Sequence, residues 1–325
     1  MLKLGIRVST ITSKGKGHLR RCLAIRKNLQ GNVFWFIDYK DTILEKEIAQ
    51  EDNILYENGP NKFGKLKKFI INNTLNTILI DSYTINYNEI TKVKNIPIVI
   101  ITDEYVKVKA NIIICPQPLK LKYIDGVRYL SGPKYAPISD EFYYDKKEKE
   151  NKIILVSFGA FDSFGITLNV IQAIKNIFFN KKYDYKVLIT LGNDSPIIQQ
   201  VKSSIRMFSN FKLIIDSPNM KKIYSKSILS IGAPGLSFLE RLSVGLPSLL
   251  VAQNDKHMKL IKTWVSLGCA IKASNTVKSI ENNLKKLLIN KDTRTNIINN
   301  GINIVDGEGS NRIAEEIEGL IKNND

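Results

Sequence analysis

The sequence predicts an α/β protein built from two Rossmann-like domains with a cleft between them, and three observations predict it. Short apolar strands alternate with helical segments almost throughout, the pattern of parallel sheets covered by helices on both faces. The alternation runs as two series with one interruption, and 325 residues are enough for two ordinary domains. Glycine-rich turns stand where strands should pass into helices, so ligands are expected at the carboxyl ends of the strands.

The first series opens with a strand over Leu4 to Ser9 and a helix over His18 to Leu29, whose apolar residues Leu19, Cys22, Leu23, Ile25 and Leu29 recur at helical spacing. Between them runs Ser13-Lys14-Gly15-Lys16-Gly17-His18, with one of only two histidines in the chain. Glycines there let the backbone approach a ligand and aim amide N–H groups at negative charge. A phosphorylated ligand beside His18 is the functional expectation; a glycine turn with a helix-capping histidine is the bland one. The turn is not a P-loop, because no lysine followed by Ser or Thr stands where that motif holds phosphate and Mg²⁺.

The series continues through strands Asn32 to Ile37, Thr77 to Ile80, Ile96 to Ile101 and Asn111 to Cys115, with helices near Thr42 to Ala49 and Lys62 to Ile71. Asp81-Ser82-Tyr83 and Asp103-Glu104 follow two of these strands, so their polar groups emerge at the ligand end; acids there also serve as turn formers. Gly132 to Glu150 holds Pro133, Pro137 and the cluster Lys146-Lys147-Glu148-Lys149-Glu150, and reads as an interdomain connection. The expected division is a first domain at 1–135, a linker at 136–150, a second domain at 151–308 and a terminal amphipathic helix in 309–325.

The second series comprises strands Lys152 to Ser157, Lys186 to Leu191, Phe211 to Ile215, Ile228 to Ile231 and Ser248 to Val251. Phe158-Gly159-Ala160-Phe161-Asp162 follows the first strand, and its small residues could admit a base or phosphate or form an ordinary tight turn. The strongest motif is Gly232-Ala233-Pro234-Gly235-Leu236-Ser237-Phe238-Leu239-Glu240-Arg241. A glycine turn opening a helix offers unpaired amides and the positive end of the dipole to a diphosphate. Ser237 adds a hydroxyl, and Glu240 is placed to accept from ribose hydroxyls; otherwise Glu240 and Arg241 are exposed helix charges. His257, after Asn254-Asp255, could face the cleft or simply cap a helix, and the helix-start reading without a catalytic role is the favoured one.

Composition narrows the classes. The net charge of +17 favours polyanions, but only nine of 48 basic residues are Arg and the lysines are scattered, so nucleic acid is not the expected partner. No apolar run reaches the ~18 residues of a membrane span and no signal-peptide pattern opens the chain, so a soluble, cytoplasmic protein without a membrane partner is expected. Cys22, Cys115 and Cys269 are odd in number and lie in apolar surroundings, which fits reduced core thiols rather than a disulfide or zinc framework. No structural metal and no cofactor are expected, and a monomer is.

Taken in order, these loops resemble a known family, the nucleotide-sugar hydrolases of pseudaminic acid biosynthesis, which cleave UDP-2,4-diacetamido-2,4,6-trideoxy-β-L-altropyranose. The resemblance runs through Arg7 and the following loop with Gly15-x-Gly17-His18-x-x-Arg21, Ile80-Asp81-x-Tyr83, Asp103-Glu104, and Gly132-Pro133-x-Tyr135-Ala136 with Glu141-Phe142. It continues through Phe158-Gly159-x-x-Asp162 and Gly235-x-Ser237-x-x-Glu240-Arg241 with Gly245-Leu246-Pro247-Ser248. It implies the GT-B fold, similar to the N-acetylglucosaminyltransferase that makes lipid II, with the final helix crossing back to the first domain.

The resemblance also implies the roles. His18 binds and activates the water that attacks the anomeric carbon, and a neutral imidazole suits that task. Tyr83 lies near the sugar. Arg7, Gly15, Gly17, Arg21, Asp81, Asp103, Gly159, Asp162, Gly235, Ser237, Glu240 and Asn254 are the implied substrate-binding set. No Asp-x-Asp occurs in the chain, which agrees with metal-independent cleavage. Ser9 stands where the family has Asp, Ser82 where it has His, Ala160-Phe161 where it has Gly-Thr and Asn254-Asp255 where it has Asn-Gln, so a related UDP-deoxy amino sugar is the alternative substrate. A GT-B glycosyltransferase and a noncatalytic nucleotide-sugar or nucleic-acid binder are the alternative readings.

Overall fold

The computed structural model describes residues 1–10, 16–40, 46–57, 63–82, 90, 93, 95–145, 152–180 and 184–322. Two units are distinguished, one of Met1–Asp140 with Gly307–Asp325 and the other of Glu141–Asp306.

In the first unit, strands β1 (Lys3–Val8), β2 (Asn32–Ile37), β3 (Asn53–Tyr56), β4 (Thr77–Asp81), β5 (Ile98–Ile101), β6 (Ile112–Cys115) and β7 (Arg128–Ser131) form one parallel sheet in the order β3-β2-β1-β4-β5-β6-β7. Central strands β4, β5 and β6 are buried at every position, as a parallel sheet covered on both faces requires. Their side chains divide with period 2. Leu79, Val99, Ile101, Ile112 and Ile114 join Leu19, Cys22 and Leu23 of helix α1 (Gly17–Arg26) on one face. Ile78, Ile80, Ile98, Ile100 and Ile113 join Leu66, Phe69 and Ile70 of α2 (Phe63–Asn72) on the other. Of the helix expected at Thr42 to Ala49, the described residues 46–49 form turns, and strand β3 follows. Strands β3 and β7 lie at the sheet edges with only partial burial, and so lack the apolar run that reveals the inner strands.

The second unit places β8 (Ile153–Ser157), β9 (Lys186–Leu191), β10 (Phe211–Ile215), β11 (Ser227–Gly232), β12 (Ser248–Val251) and β13 (Ile271–Ala273) in the order β10-β9-β8-β11-β12-β13, again parallel throughout. Its helices are α3 (Ile166–Asn180), α4 (Ile198–Ile205), α5 (Met220–Lys226), α6 (Leu236–Ser243), α7 (Asp255–Ser266), α8 (Val277–Ile289) and α9 (Lys291–Ile304). Strand order reverses between β1 and β4 and between β8 and β11, so each sheet has a switch point where loops diverge above the strand ends.

The last helix, α10 (Gly309–Lys322), returns to the first unit. Its apolar stripe, Ile313, Ala314 and Ile317, is at most 1% exposed within the core that contains Leu19 and Leu23. Gly309 permits the approach: a Cβ there would sit 2.3 Å from the carbonyl oxygen of Ala136. Ser310 Oγ donates to the Ile138 carbonyl at 2.7 Å, and Arg312 donates to that of Lys134 at 2.8 Å. The segment expected as a connection is therefore partly built into the structure, with Pro133–Tyr135 a 3-10 turn and Ala136, Ile138 and Phe142 buried. The Lys/Glu cluster at 146–150 lies outside the described residues. The three cysteines are buried thiols.

Candidate functional site

At the switch point of the first sheet a cavity of about 100 Å³ is lined by His18, Asp81, Ser82, Ile101, Thr102, Glu104 and Val106. Those residues come from the start of α1, from the last residues of β4 and β5 and from the segments that follow them, at the carboxyl ends of the strands. His18 and Arg21 lie three positions apart on α1 and so project from one face of the helix, toward the end of β4.

Asp81, the last residue of β4, is wholly buried and gathers both of them. Its Oδ1 lies 2.5 Å from His18 Nδ1 and accepts from Arg21 Nη2 at 2.5 Å, while Oδ2 accepts from Arg21 Nε at 2.5 Å. Arg21 reaches on through Nη1 to Asp103 Oδ2 at 2.8 Å. Burial pushes the Asp81 carboxyl up, but the charge and fork of Arg21, helped by His18, outweigh it and hold the group below the usual carboxylate range. An ionised carboxylate only accepts hydrogen bonds, so the nitrogen facing it must carry the proton. The proton on His18 therefore sits at Nδ1, and in the neutral ring that leaves Nε2 as the acceptor nitrogen, the arrangement that lets a histidine take a proton from water.

Of the residues named from sequence in this unit, the structure brings together His18, Arg21, Asp81 and Asp103, with Ser82 lining the same cavity. Gly17 begins α1 beside them. Tyr83 and Gly15 lie outside the described residues. Arg7 is elsewhere: its fully buried guanidinium pairs with Asp38 and Glu57, donates to the Val8 and Phe36 carbonyls, and stacks 4.9 Å from the Phe36 ring centre. Ser9 bonds that same Asp38 at 2.7 Å, so both residues belong to a buried polar cluster rather than the cavity wall. Thr102 was not anticipated; its place one residue beyond an apolar strand is the signal that could have found it.

In the second unit the loops after β8 and β11 meet the switch point. Gly159 has φ +84°, and a Cβ on Gly159 or on Gly235 would touch nothing within 4 Å, so both turns present open backbone. Gly235 is the N-cap of α6, with Ser237 in its first turn and partly exposed. Glu240, one turn on, accepts from the hydroxyl of buried Tyr224 at 2.9 Å. Arg241 is no surface charge but wholly buried. It donates to the Ala233 carbonyl at 2.8 Å, the Ser237 carbonyl at 3.1 Å and Ser230 Oγ at 3.3 Å, and thereby braces the glycine turn from behind. Burial lowers its pKa to about 10, which leaves it charged at neutral pH.

Two further predicted ligands are occupied as helix caps. Asp162, 2% exposed, accepts from the amides of Ile166 and Thr167 at 3.2 and 2.9 Å at the start of α3. Asn254 caps α7 by accepting from the His257 amide at 2.9 Å, and His257 Nδ1 accepts from the Gln253 amide at 3.4 Å.

No protein-family model matches the chain. It is 24% identical over 278 residues, 78% of its length, to uncharacterized protein MJ1062 of Methanocaldococcus jannaschii. Over 207 residues, 61% of its length, it is 22% identical to the spore coat polysaccharide biosynthesis protein SpsG of Bacillus subtilis. The matches span 56% and 60% of those two relatives. Among solved structures, S. aureus MnaA with UDP superposes at TM-score 0.71 and 14% identity, covering 99% of this chain and 97% of that one. Neisseria meningitidis UDP-GlcNAc 2-epimerase bound to UDP-GlcNAc gives 0.69 at 14% identity, with coverage of 98% and 100%. Acinetobacter baumannii MurG gives 0.65 at 14%, with coverage of 98% and 99%. Two parallel sheets with switch points, a terminal helix returned to the first unit and these superpositions together give the chain the GT-B fold.

Proposed function

We propose that the chain is an enzyme acting on a UDP-sugar, and that it hydrolyses the anomeric bond of UDP-2,4-diacetamido-2,4,6-trideoxy-β-L-altropyranose or a related UDP-deoxy amino sugar. The observation that carries the reading is His18 on the wall of the first-unit cavity, its Nδ1 held 2.5 Å from an ionised, buried Asp81. Water bound at Nε2 gives up a proton to that nitrogen as its oxygen forms the bond to the anomeric carbon. The bond from that carbon to the phosphate oxygen breaks, and its electron pair leaves with UDP. A terminal phosphate with a pKa of about 6 departs without a carboxylic acid to protonate it, so a glycosidase pair of carboxylates is not demanded.

The second unit supplies the diphosphate site in this reading. Amides at Gly235 and Ser237 and the dipole of α6 stabilise the charge that builds on the leaving group, and Glu240 takes the ribose hydroxyls. Tyr83 acts beside the sugar in this reading, and Gly15 belongs to the substrate-binding turn before His18. Support comes from the UDP and UDP-GlcNAc in the two superposed structures and from the polysaccharide role in the name of SpsG.

A glycosyltransferase is the second reading, favoured by the superposition on a glycosyltransferase of Rickettsia africae at TM-score 0.66 and 12% identity. UDP release without acceptor, in EDTA, separates the two. The wild type is expected to release UDP and free sugar, and His18→Ala to lose about 10²–10⁴-fold of that rate, the usual worth of a positioned general base. Release only when an acceptor is added would replace hydrolase with transferase.

A further inference from the structure

We infer that Arg21 is a positioning residue that fixes the tautomer of His18 through Asp81, rather than a ligand of the substrate. The inference rests on His18 being the base and adds what keeps it one.

Arg21 is 4% exposed, and its three nitrogens are committed to carboxylates: Nε and Nη2 to the two oxygens of Asp81 at 2.5 Å each, Nη1 to Asp103 at 2.8 Å. It does not line the cavity that His18 and Asp81 line. Its fork reaches the carboxylate from one side while His18 Nδ1 reaches it from another, and Arg21 Nη2 also lies 3.2 Å from His18 Nδ1, a contact in which the guanidinium can only donate. The charged carboxylate oxygen, at 2.5 Å, is the nearer and stronger partner, so Nδ1 is read as a donor to Oδ1. With the proton on Nε2 instead, the lone pair of Nδ1 would face that of a carboxylate oxygen at 2.5 Å, an arrangement that repels.

A carboxyl buried without its cation favours the protonated form. Protonated Asp81 would donate to Nδ1, and the imidazole would then carry its own proton on Nε2. That nitrogen could no longer accept one from water, although every side chain but Arg21 was unchanged. Among the described residues, the other titratable groups about Asp81 cannot replace the cation: Cys22 is a buried thiol 3.7 Å from Oδ2, Cys115 a buried thiol on β6, and Asp103 and Glu104 beyond β5 are acids. Arg21 is therefore the group that keeps Asp81 an acceptor and Nε2 a base.

Long-range ¹H–¹⁵N correlation spectra of the ¹⁵N-labelled full chain test this without substrate. The chain has two histidines, so His257→Gln assigns the signals. At a pH of about 8, above the ordinary imidazole range, His18 is expected as the Nδ1–H form, and in Arg21→Met as the Nε2–H form. In turnover, Arg21→Met should lower kcat by about 10²–10⁴-fold with KM little changed, and shift the acid limb of the kcat profile upward. Arg21→Lys, which keeps the charge but not the fork, should retain Nδ1–H and recover part of kcat; it also serves if Arg21→Met fails to fold by circular dichroism.

An Nε2–H His18 in the wild type overturns the inference. So does an Arg21 variant that raises KM while kcat and the tautomer stay as they were, since Arg21 would then be a substrate ligand. A wild type with the expected tautomer and no UDP release removes the proposed hydrolysis and leaves the tautomer lock standing.

Discussion

Asp162 and Arg241 show how one residue's burial decides its meaning. Asp162 spends both carboxylate oxygens on the first amides of α3, so Asp162→Ala should cost about 0.5–2 kcal/mol, the usual worth of an N-cap. Urea unfolding followed by a reporter in the second unit would measure it; an unchanged midpoint with weakened UDP binding would instead return Asp162 to the ligand set. Arg241 packs against Gly232, where an added Cβ would lie 2.4 Å from its Nη1 and 2.2 Å from the Ser157 carbonyl oxygen. Backbone and a braced guanidinium cannot both give way cheaply. Gly232→Ala is accordingly expected to destabilise the second unit by about 1–3 kcal/mol, the cost of overpacking, with a lowered Tm in calorimetry as the check.

Helix α1 and strand β4 are the elements that make the first site, and their junction is a charged one inside an apolar sheet. Asp81 is depressed below its ordinary carboxyl value of 3.8. A depressed acid contributes stability above its unfolded value, and that contribution is lost as pH falls through the folded one. The first unit should thus hold its structure somewhat below pH 3.8 where Asp81 is concerned, and Arg21→Met should lose that protection at higher pH. Acid titration of Trp35 fluorescence in a Trp264→Phe background reads the first unit alone, because one tryptophan belongs to each unit. Coincident acid transitions for the two proteins would contradict the assignment of Arg21 as the dominant stabiliser of the Asp81 anion.

At the scale of the whole molecule, the chain leaves the first unit at Asp140, builds the second and returns at Gly307. Helix α10 then completes the apolar face that α1 alone leaves open, and Glu316 and Glu318 tie its surface to Arg128 and to the Gln30 amide at 2.5 and 2.7 Å. Ile317 is fully buried there, so Ile317→Ala should cost the first unit about 2–5 kcal/mol. Hydrogen exchange should show faster opening of β1 and α1 with the second unit's amides unchanged; equal loss in both units would mean they unfold as one. No described helix is long and apolar enough to cross a membrane.

The inner strands of both sheets were legible from sequence because a strand buried on both faces must be a continuous apolar run, as Thr77 to Ile80 and Ser248 to Val251 are. The second unit's glycine turns and the amphipathic last helix were legible for equally local reasons, an amide-rich turn and an apolar stripe, whereas the helix's return to the first unit was implied only by the family resemblance. Edge strands β3 and β7 were not, since half-buried residues carry no such run. The sequence alone determined which residue types stand at the strand ends, and hence that His18, Asp81 and Gly235 were candidates. Only the tertiary structure decided their partners. Whether an arginine is a ligand, a brace or a clamp depends on which acceptors lie within about 3 Å of its fork; for Arg7 and Arg21 those acceptors come chiefly from chain segments that spacing cannot bring together, while Arg241 folds back on its own helix, the turn before it and β11.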